Sequence, residues 1–214
     1  GTDAGVIKSN WQNGARISSN SWGATTPPST YDDSDQAYDI GVRDADPDTA
    51  GNQEMIYVFA AANDGPGAAT VSSPGAGKNV ITVCASENTR PGWSDGCGVG
   101  ATGADNANDV IGFSSRGPAP GARVKPEIIA PGTHVQSGAS NYSGYDGSGV
   151  CDQFYPNGQT VFAASSGTSH STPAIAGLAS LAYWWIQQGG AGAASGTVDM
   201  IGGSRAPSPA GMKA

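Results

Sequence analysis

Residues 167–177, Gly-Thr-Ser-His-Ser-Thr-Pro-Ala-Ile-Ala-Gly, decide how this chain folds. Ser169 stands in a turn of small residues, and the apolar stretch 169–188 predicts a long buried helix with Pro173 in its first turn. The first N–H groups of a helix are unpaired and favour negative charge that develops beside them. The stretch therefore holds a hydroxyl where a nucleophilic serine needs to be. A serine that only caps the helix is the alternative.

Further segments predict the rest of the fold. Continuous rather than alternating apolar character is typical of strands that are covered on both faces, as in a parallel sheet. Acidic residues precede a helical stretch around Gln36–Ala45. Strands that alternate with helices predict an α/β fold with a mostly parallel sheet. The strand segments are residues 15–23, 55–62, 79–86 and 126–130.

The composition limits the partners of the protein. Only 13% of the 214 residues are charged, whereas glycine and proline number 33 and 14, which is typical of a compact, loop-rich secreted enzyme. The net charge of −8 argues against nucleic acid and against an anionic membrane surface as partners. The apolar stretch 172–186 is shorter than the roughly 20 residues that a membrane-spanning helix needs. We therefore expect an extracellular protein without a membrane partner.

The three cysteines lack the spacing of a zinc site or a redox motif. Cys84 falls in an apolar strand segment, which predicts a buried free thiol. Cys97 and Cys151 lie in glycine-rich loops, where they either form a disulfide in an oxidising compartment or remain free.

Five blocks of sequence in one order resemble the C-terminal part of the catalytic domain of subtilisin-like serine proteases, the subtilases. The resemblance implies a three-layer α/β fold with a mostly parallel sheet, the N-terminal portion of the domain lying outside this chain. Residues 1–214 would then be part of one catalytic domain, with its core at 15–188, and a linker and the start of a following helix at 189–214. Some motifs lean toward large, oxidant-tolerant bacterial alkaline subtilases. The blocks are residues 21–23, 60–65, 113–118, 125–132 and 167–177.

The resemblance also implies the roles of individual residues. Ser169 would be the nucleophile that forms an acyl-enzyme, and the Asn63 amide together with the Ser169 N–H would bind the oxyanion. An extended protein or peptide substrate would bind by strand addition. The residues that would contact it are Ser21, Trp22, Gly23, Ala60, Ala61, Ala62, Gly167 and Thr168. Ala62 stands where the family usually has glycine, and His170 where it usually has methionine.

The family's catalytic aspartate and histidine motifs do not occur in this chain. Asp3 and His134 lie in faint likenesses of those motifs, which we interpret as coincidence, and His134 is expected in a loop near the pocket or the surface. His170 is adjacent to Ser169, and adjacent helical residues point about 100° apart. We therefore expect a serine endopeptidase that is inactive alone and needs the N-terminal part of its own catalytic domain. The alternative is a catalytically dead, subtilase-like peptide-binding or scaffolding module.

The proposed chemistry needs no cofactor, and no metal site is assigned. Asp105, Asn106, Asn108 and Asp109 could supply oxygen ligands to a structural calcium ion, although a solvated turn is favoured. Trp184 and Trp185 are expected to seal either the core or a face that a segment outside this chain covers.

Overall fold

A four-stranded parallel sheet in the order β1-β2-β3-β4 forms the centre of the computed structural model. The structure describes residues 1–25, 27, 30–188, 200–201, 204–205 and 208–213, so residues 189–199, where the predicted linker begins, lie outside the described residues. The elements are α1 (Asp3–Gln12), β1 (Ile17–Asn20), α2 (Asp33–Arg43), β2 (Ile56–Ala60), β3 (Ile81–Ser86), a 3₁₀ turn (Ala101–Gly103), β4 (Ile128–Pro131), β5 (Val135–Gly138), β6 (Phe162–Ser165), α3 (Thr168–Gln187), β7 (Met200–Ile201), β8 (Ser204–Arg205) and α4 (Pro209–Lys213).

The sheet is covered by helices on both faces. Along β2, Tyr57 and Phe59 pack into a cluster with Ile7 of α1 and Tyr38 of α2. The alternate residues of β2 pack against α3 on the opposite face, in a cluster that includes Ile175. All five residues of β2 are buried. These layers confirm the predicted three-layer α/β fold with a parallel sheet.

The strand at residues 126–130 departs from the prediction. Ile128 and Ile129 are 37% and 41% exposed, because β4 is the outer strand of the sheet within the described residues. The sequence pattern also missed α1 and the antiparallel β5–β6 hairpin.

The helix starts follow from local side chains. At α2, the Asp32 carboxylate accepts from the Asp35 N–H and the Asp35 carboxylate accepts from the Asp32 N–H, at 2.9 and 3.2 Å. This reciprocal cap starts the helix at Asp33, three residues before the predicted start. Because α3 begins at Thr168, Pro173 lies in its second turn rather than its first.

The cysteines take two different states. Cys97 and Cys151 form a disulfide, which resolves the alternative that the sequence left open. Cys84 is a buried free thiol, as predicted, and the Ser114 hydroxyl donates to its sulfur at 3.2 Å. Among the described helices, none has the length and apolar character to cross a membrane.

Candidate active site

The chain segments that follow β1 and β2 meet the first turn of α3 at a small cavity of about 160 Å³. Parallel strands bring their carboxyl ends to one edge of the sheet, and ligands of open α/β sheets bind at that edge. All but two of the ten site residues predicted from the sequence line this cavity. Its lining is Ser21, Trp22, Gly23, Ala24, Ala60, Ala62, Asn63, Ser72, Thr168 and Ser169.

Ala61 and Gly167 are the two predicted residues that do not line the cavity. Ala61 is fully buried and packs with Val71, Ala76 and Ala119 behind the site. Its backbone N–H donates to Val83 and its carbonyl accepts from Ser72, so both backbone groups are already used. Gly167 precedes α3 as its N-cap residue.

Asn63 is fixed by the start of α3. Its side-chain Oδ1 accepts hydrogen bonds from the Thr168 backbone N–H at 2.9 Å and from the Thr168 hydroxyl at 3.0 Å. Because an N–H donor needs an oxygen acceptor, these bonds also assign which end of the amide is Nδ2.

Gly167 keeps a space open between two donors. A Cβ atom at this position would lie 3.4 Å from Asn63 Nδ2 and 3.7 Å from both Asn63 Oδ1, which accepts from Thr168, and the Ser169 backbone nitrogen. The φ angle of Gly167 is 151°, which side chains rarely adopt. The Asn63 amide and the first turn of α3 therefore border one small volume beside Ser169.

The wall of the cavity depends on a close approach of two chain segments. A Cβ on Gly23 would lie 2.4 Å from the Ser72 hydroxyl, and the Ala24 N–H donates to the Ser73 carbonyl at 2.8 Å. A side chain at residue 23 would therefore displace the Ser72 hydroxyl and crowd the Ser73 carbonyl. The sequence analysis missed Ser72 and Ala24, and no pattern around either residue indicates that they reach the site.

The block at residues 113–118 supports the site from behind. The Ser115 N–H donates to the Ala62 carbonyl at 3.0 Å, and the Ser115 hydroxyl accepts from the Asp64 N–H at 3.0 Å. Ala62 has a φ angle of 89°, in the left-handed region that favours glycine. The turn that carries Asn63 is thus held in a conformation that its own residues do not favour.

The two histidines occupy different environments. His134 lies in a turn, as expected, but it is wholly buried rather than at the surface, and its Nδ1 lies 2.9 Å from the Asp95 carboxylate. Asp95 and Trp93 contact its ring from a distant loop, and the sequence pattern did not reveal these contacts. His170 is partly buried next to Ser169, and this burial lowers the pKa of its imidazole.

Asp3 lies at the start of α1, where its carboxylate accepts from the Ser34 hydroxyl. Hydrogen bonds fix the acidic loop at residues 105–109. The Glu87 carboxylate accepts from the Asp105 and Asn106 N–H groups, and within the loop the Asn106 side chain accepts from the Asn108 N–H. Within the described ranges, no group of three or more His, Cys, Asp or Glu side chains is close enough to hold a metal ion. A structural calcium ion at this loop remains the less favoured alternative to a solvated turn.

Comparisons with known proteins point to one family. The model of the subtilase family of peptidases matches residues 2–188. The serine protease AprX of Bacillus subtilis is 35% identical over 131 residues, covering 59% of this chain and 25% of AprX. Pyrolysin of Pyrococcus furiosus is 30% identical over 136 residues, covering 59% of this chain and 9% of pyrolysin.

Solved structures share the fold. Sphericase superimposes with a TM-score of 0.52 at 24% identity, covering 86% of this chain and 48% of sphericase. The self-cleaved protease domain of PatA gives a TM-score of 0.58 at 19% identity, covering 99% of this chain and 57% of that domain. The chain thus spans about half the length of these solved structures and a quarter or less of AprX and pyrolysin.

Proposed function

The chain belongs to the subtilase family, and from this premise we propose that it carries the nucleophile and the oxyanion hole of a serine endopeptidase. The observation that supports this most strongly is the space beside Gly167. The Asn63 amide and the Ser169 N–H both border that space, as the two donors of an oxyanion hole must.

The proposed reaction is acyl transfer. The Ser169 hydroxyl attacks the carbonyl carbon of a peptide bond, and the Asn63 Nδ2 and the Ser169 N–H donate to the oxygen as it becomes negative. The intermediate loses the amine and leaves an acyl-enzyme, which water then hydrolyses. The position of Ser169 in the first turn of α3 adds the favourable helix dipole.

The proposed substrate is an extended polypeptide. Ser21–Gly23 follows β1 and lines the cavity together with Ala60 and Ala62, and an extended peptide in this cavity would bind largely through backbone hydrogen bonds. We propose secretion as well, because the Cys97–Cys151 disulfide is typical of an oxidising compartment. His170 at the usual methionine position supports the further proposal of oxidant tolerance.

We propose that the general base and its carboxylate partner come from a segment outside residues 1–214. His134 is engaged by Asp95, and His170 follows Ser169 directly on α3, so neither supports a role as the base. One side of β1 has no strand partner within the described part of the chain, and α3 exposes an apolar face. That face, formed by Leu178, Leu181, Trp184 and Trp185, is 50–66% exposed, so the tryptophans do not seal the core of this chain.

Reaction with a fluorophosphonate probe, measured by intact mass, tests the proposal. The probe is applied to the 214-residue chain and to the protein as its gene encodes it, each with the variants Ser169→Ala and Ser180→Ala. Ser180 is the matched control, since it lies on the same helix and its hydroxyl donates to the Ala176 carbonyl.

We expect one adduct on the encoded protein that disappears in Ser169→Ala and persists in Ser180→Ala. The chain alone should stay unlabelled. An adduct that survives Ser169→Ala would overturn the assignment of the nucleophile, and an adduct on the chain alone would overturn the proposal that the base lies elsewhere.

A second candidate is a catalytically dead module that binds peptides on the same strands. The observation that favours it is the state of the two histidines, of which neither supports a role as base. Calorimetry with extended peptides tests this candidate. Binding that is unchanged in Ser169→Ala, in an encoded protein that never reacts with the probe, would support it, and absence of binding would exclude it.

A further inference from the structure

A buried pair of ionisable side chains lies outside the cavity and has no role in the proposed reaction. His134 Nδ1 and Asp95 Oδ2 are 2.9 Å apart, and both side chains are 1% exposed. Because a carboxylate only accepts hydrogen bonds, Nδ1 of the imidazole is the donor of this bond. His134 has a φ angle of 49°, in the left-handed region that non-glycine residues seldom adopt.

The backbone around His134 holds the residues that lead to Ser169. The His134 N–H donates to the Ser166 hydroxyl at 2.9 Å, and the Gly167 N–H donates to the Gly132 carbonyl at 2.7 Å. We call Ser165–Ser169 the nucleophile segment. Its path into α3 is therefore set by the short turn that His134 belongs to.

Asp95 is anchored on the other side of the pair. Its Oδ1 accepts from the Cys97 N–H at 3.2 Å, and Cys97 is bonded through the disulfide to Cys151. The Cys151 N–H in turn donates to the Ala164 carbonyl of β6, the strand that enters the nucleophile segment. Arg90, which lies in the same loop as Asp95, also contacts His134, since its guanidinium donates to the His134 carbonyl at 2.8 Å.

We propose that Asp95 and His134 are positioning residues that fix the nucleophile segment, an inference that rests on the proposed role of Ser169. Taking a carboxylate out of water costs free energy that one hydrogen-bonded partner only partly returns, so such a buried pair seldom stabilises a fold more than apolar side chains of the same shape would. A carboxylate that holds a left-handed histidine in one orientation instead specifies the conformation of the turn, and through Ser166 and Gly167 that of the proposed oxyanion hole.

Amide hydrogen exchange tests the pair without depending on catalysis. The variant is Asp95→Asn, and the control is Asp105→Asn, the same chemical change at an exposed loop residue. We expect exchange at residues 167–170 to rise by about 10-fold in Asp95→Asn, the factor that corresponds to about 1.4 kcal/mol. Exchange in β2 and β3 should stay unchanged, and Asp105→Asn should behave as the unmodified protein. Equal exchange at 167–170 in both variants would overturn the proposal.

A rescue experiment separates positioning from simple packing and also serves if Asp95→Asn does not fold. Glycine and asparagine both tolerate the left-handed backbone at residue 134, but only asparagine retains an N–H donor toward Asp95. His134→Asn should therefore exchange more slowly at residues 167–170 than His134→Gly and, in the encoded protein, should react faster with the fluorophosphonate. If the two variants exchange at the same rate and react at the same rate, the hydrogen bond between residues 95 and 134 has no positioning role. If the exchange pattern is found but Ser169 never reacts, the proposed function fails and the positioning role stands.

Discussion

The hydroxyl of Ser21 donates a hydrogen bond to the backbone carbonyl of Ser169 at an oxygen–oxygen distance of 2.8 Å. In a regular helix this carbonyl would accept from the N–H of residue 173, but that residue is Pro173, which has none. Ser21, in the segment after β1, thus supplies the hydrogen-bond donor that α3 lacks at Pro173. The same bond joins the segment that we propose to contact substrate to the proposed nucleophile.

The Ser21 contact and Pro173 should be energetically coupled. We expect Ser21→Ala to lower the free energy of unfolding by about 1 kcal/mol, because it leaves the Ser169 carbonyl without its donor. In a Pro173→Ala background the same change should cost less, since the new N–H can bond to that carbonyl. Urea unfolding of the two single variants and the double variant measures the coupling. Additivity of the single effects within about 0.3–0.5 kcal/mol would argue against it.

Asn63 can be probed at each end of its amide separately. Asn63→Asp keeps the oxygen that accepts from Thr168 but replaces the donating Nδ2, whereas Asn63→Ala removes both. We expect both variants to lower the fluorophosphonate reaction rate of the encoded protein by about 10²–10³-fold, the usual loss for one oxyanion donor. Only Asn63→Ala should also lower stability. Asn108→Asp, in an exposed loop, is the control, and an Asn63→Asp variant that reacts at the normal rate would exclude the amide from the oxyanion hole.

The sequence predicted the sheet and most of the residues that line the cavity, but not the contacts that support them. The apolar run of β2 and the small-residue turn at Ser169 are local signals, and each was found where it was expected. Helix α1 was missed because its apolar residues are few and only Ile7 is buried. The Asp95–His134 pair joins residues 39 positions apart through a disulfide-linked loop, and the residues themselves carry no local sign of that contact.

Lys125 should make stability rise with pH in the alkaline range. Its ammonium donates to the Val80 carbonyl, the Thr82 hydroxyl and the Glu127 carboxylate. Burial lowers the pKa of Lys125 to about 8, because its effect is larger than the opposing effect of the Glu127 charge. Between about pH 8 and the ordinary value of 10.5, the unfolded chain therefore binds more protons than the folded one, so the free energy of unfolding increases with pH.

We expect a slope that approaches about 1.4 kcal/mol per pH unit in urea unfolding between about pH 8 and 9.5. Above this window, tyrosines such as Tyr38, whose pKa burial raises to about 12, act in the opposite direction. Lys125→Met should remove the slope. The same slope in that variant would assign the effect to another group.

The disulfide should contribute substantially to stability. Cys97 and Cys151 are 54 residues apart, and closing a loop of that length stabilises the folded chain by about 4 kcal/mol in the chain-entropy model. Thermal unfolding with and without dithiothreitol measures the effect. The Cys97→Ser, Cys151→Ser double variant should be insensitive to the reductant, whereas Cys84→Ser, which leaves the bridge intact, should respond as the unmodified protein does. A melting temperature of the unmodified protein that does not change on reduction would contradict the expectation.

Replacing Ala62 with glycine should stabilise the protein, although removing a methyl group at the edge of a core usually destabilises it. Its φ angle of 89° costs an alanine on the order of 1–3 kcal/mol, whereas glycine loses about 0.5–1 kcal/mol through the greater freedom of its unfolded chain. We therefore expect Ala62→Gly to raise the free energy of unfolding by about 1 kcal/mol. Ala85→Gly, at a fully buried position of β3, is the control and should lower it.

Because the Ala62 methyl also borders the cavity, the glycine variant should accept bulkier side chains in a peptide-cleavage profile of the encoded protein. If Ala62→Gly instead lowers the free energy of unfolding as much as Ala85→Gly does, the left-handed conformation of residue 62 carries no strain.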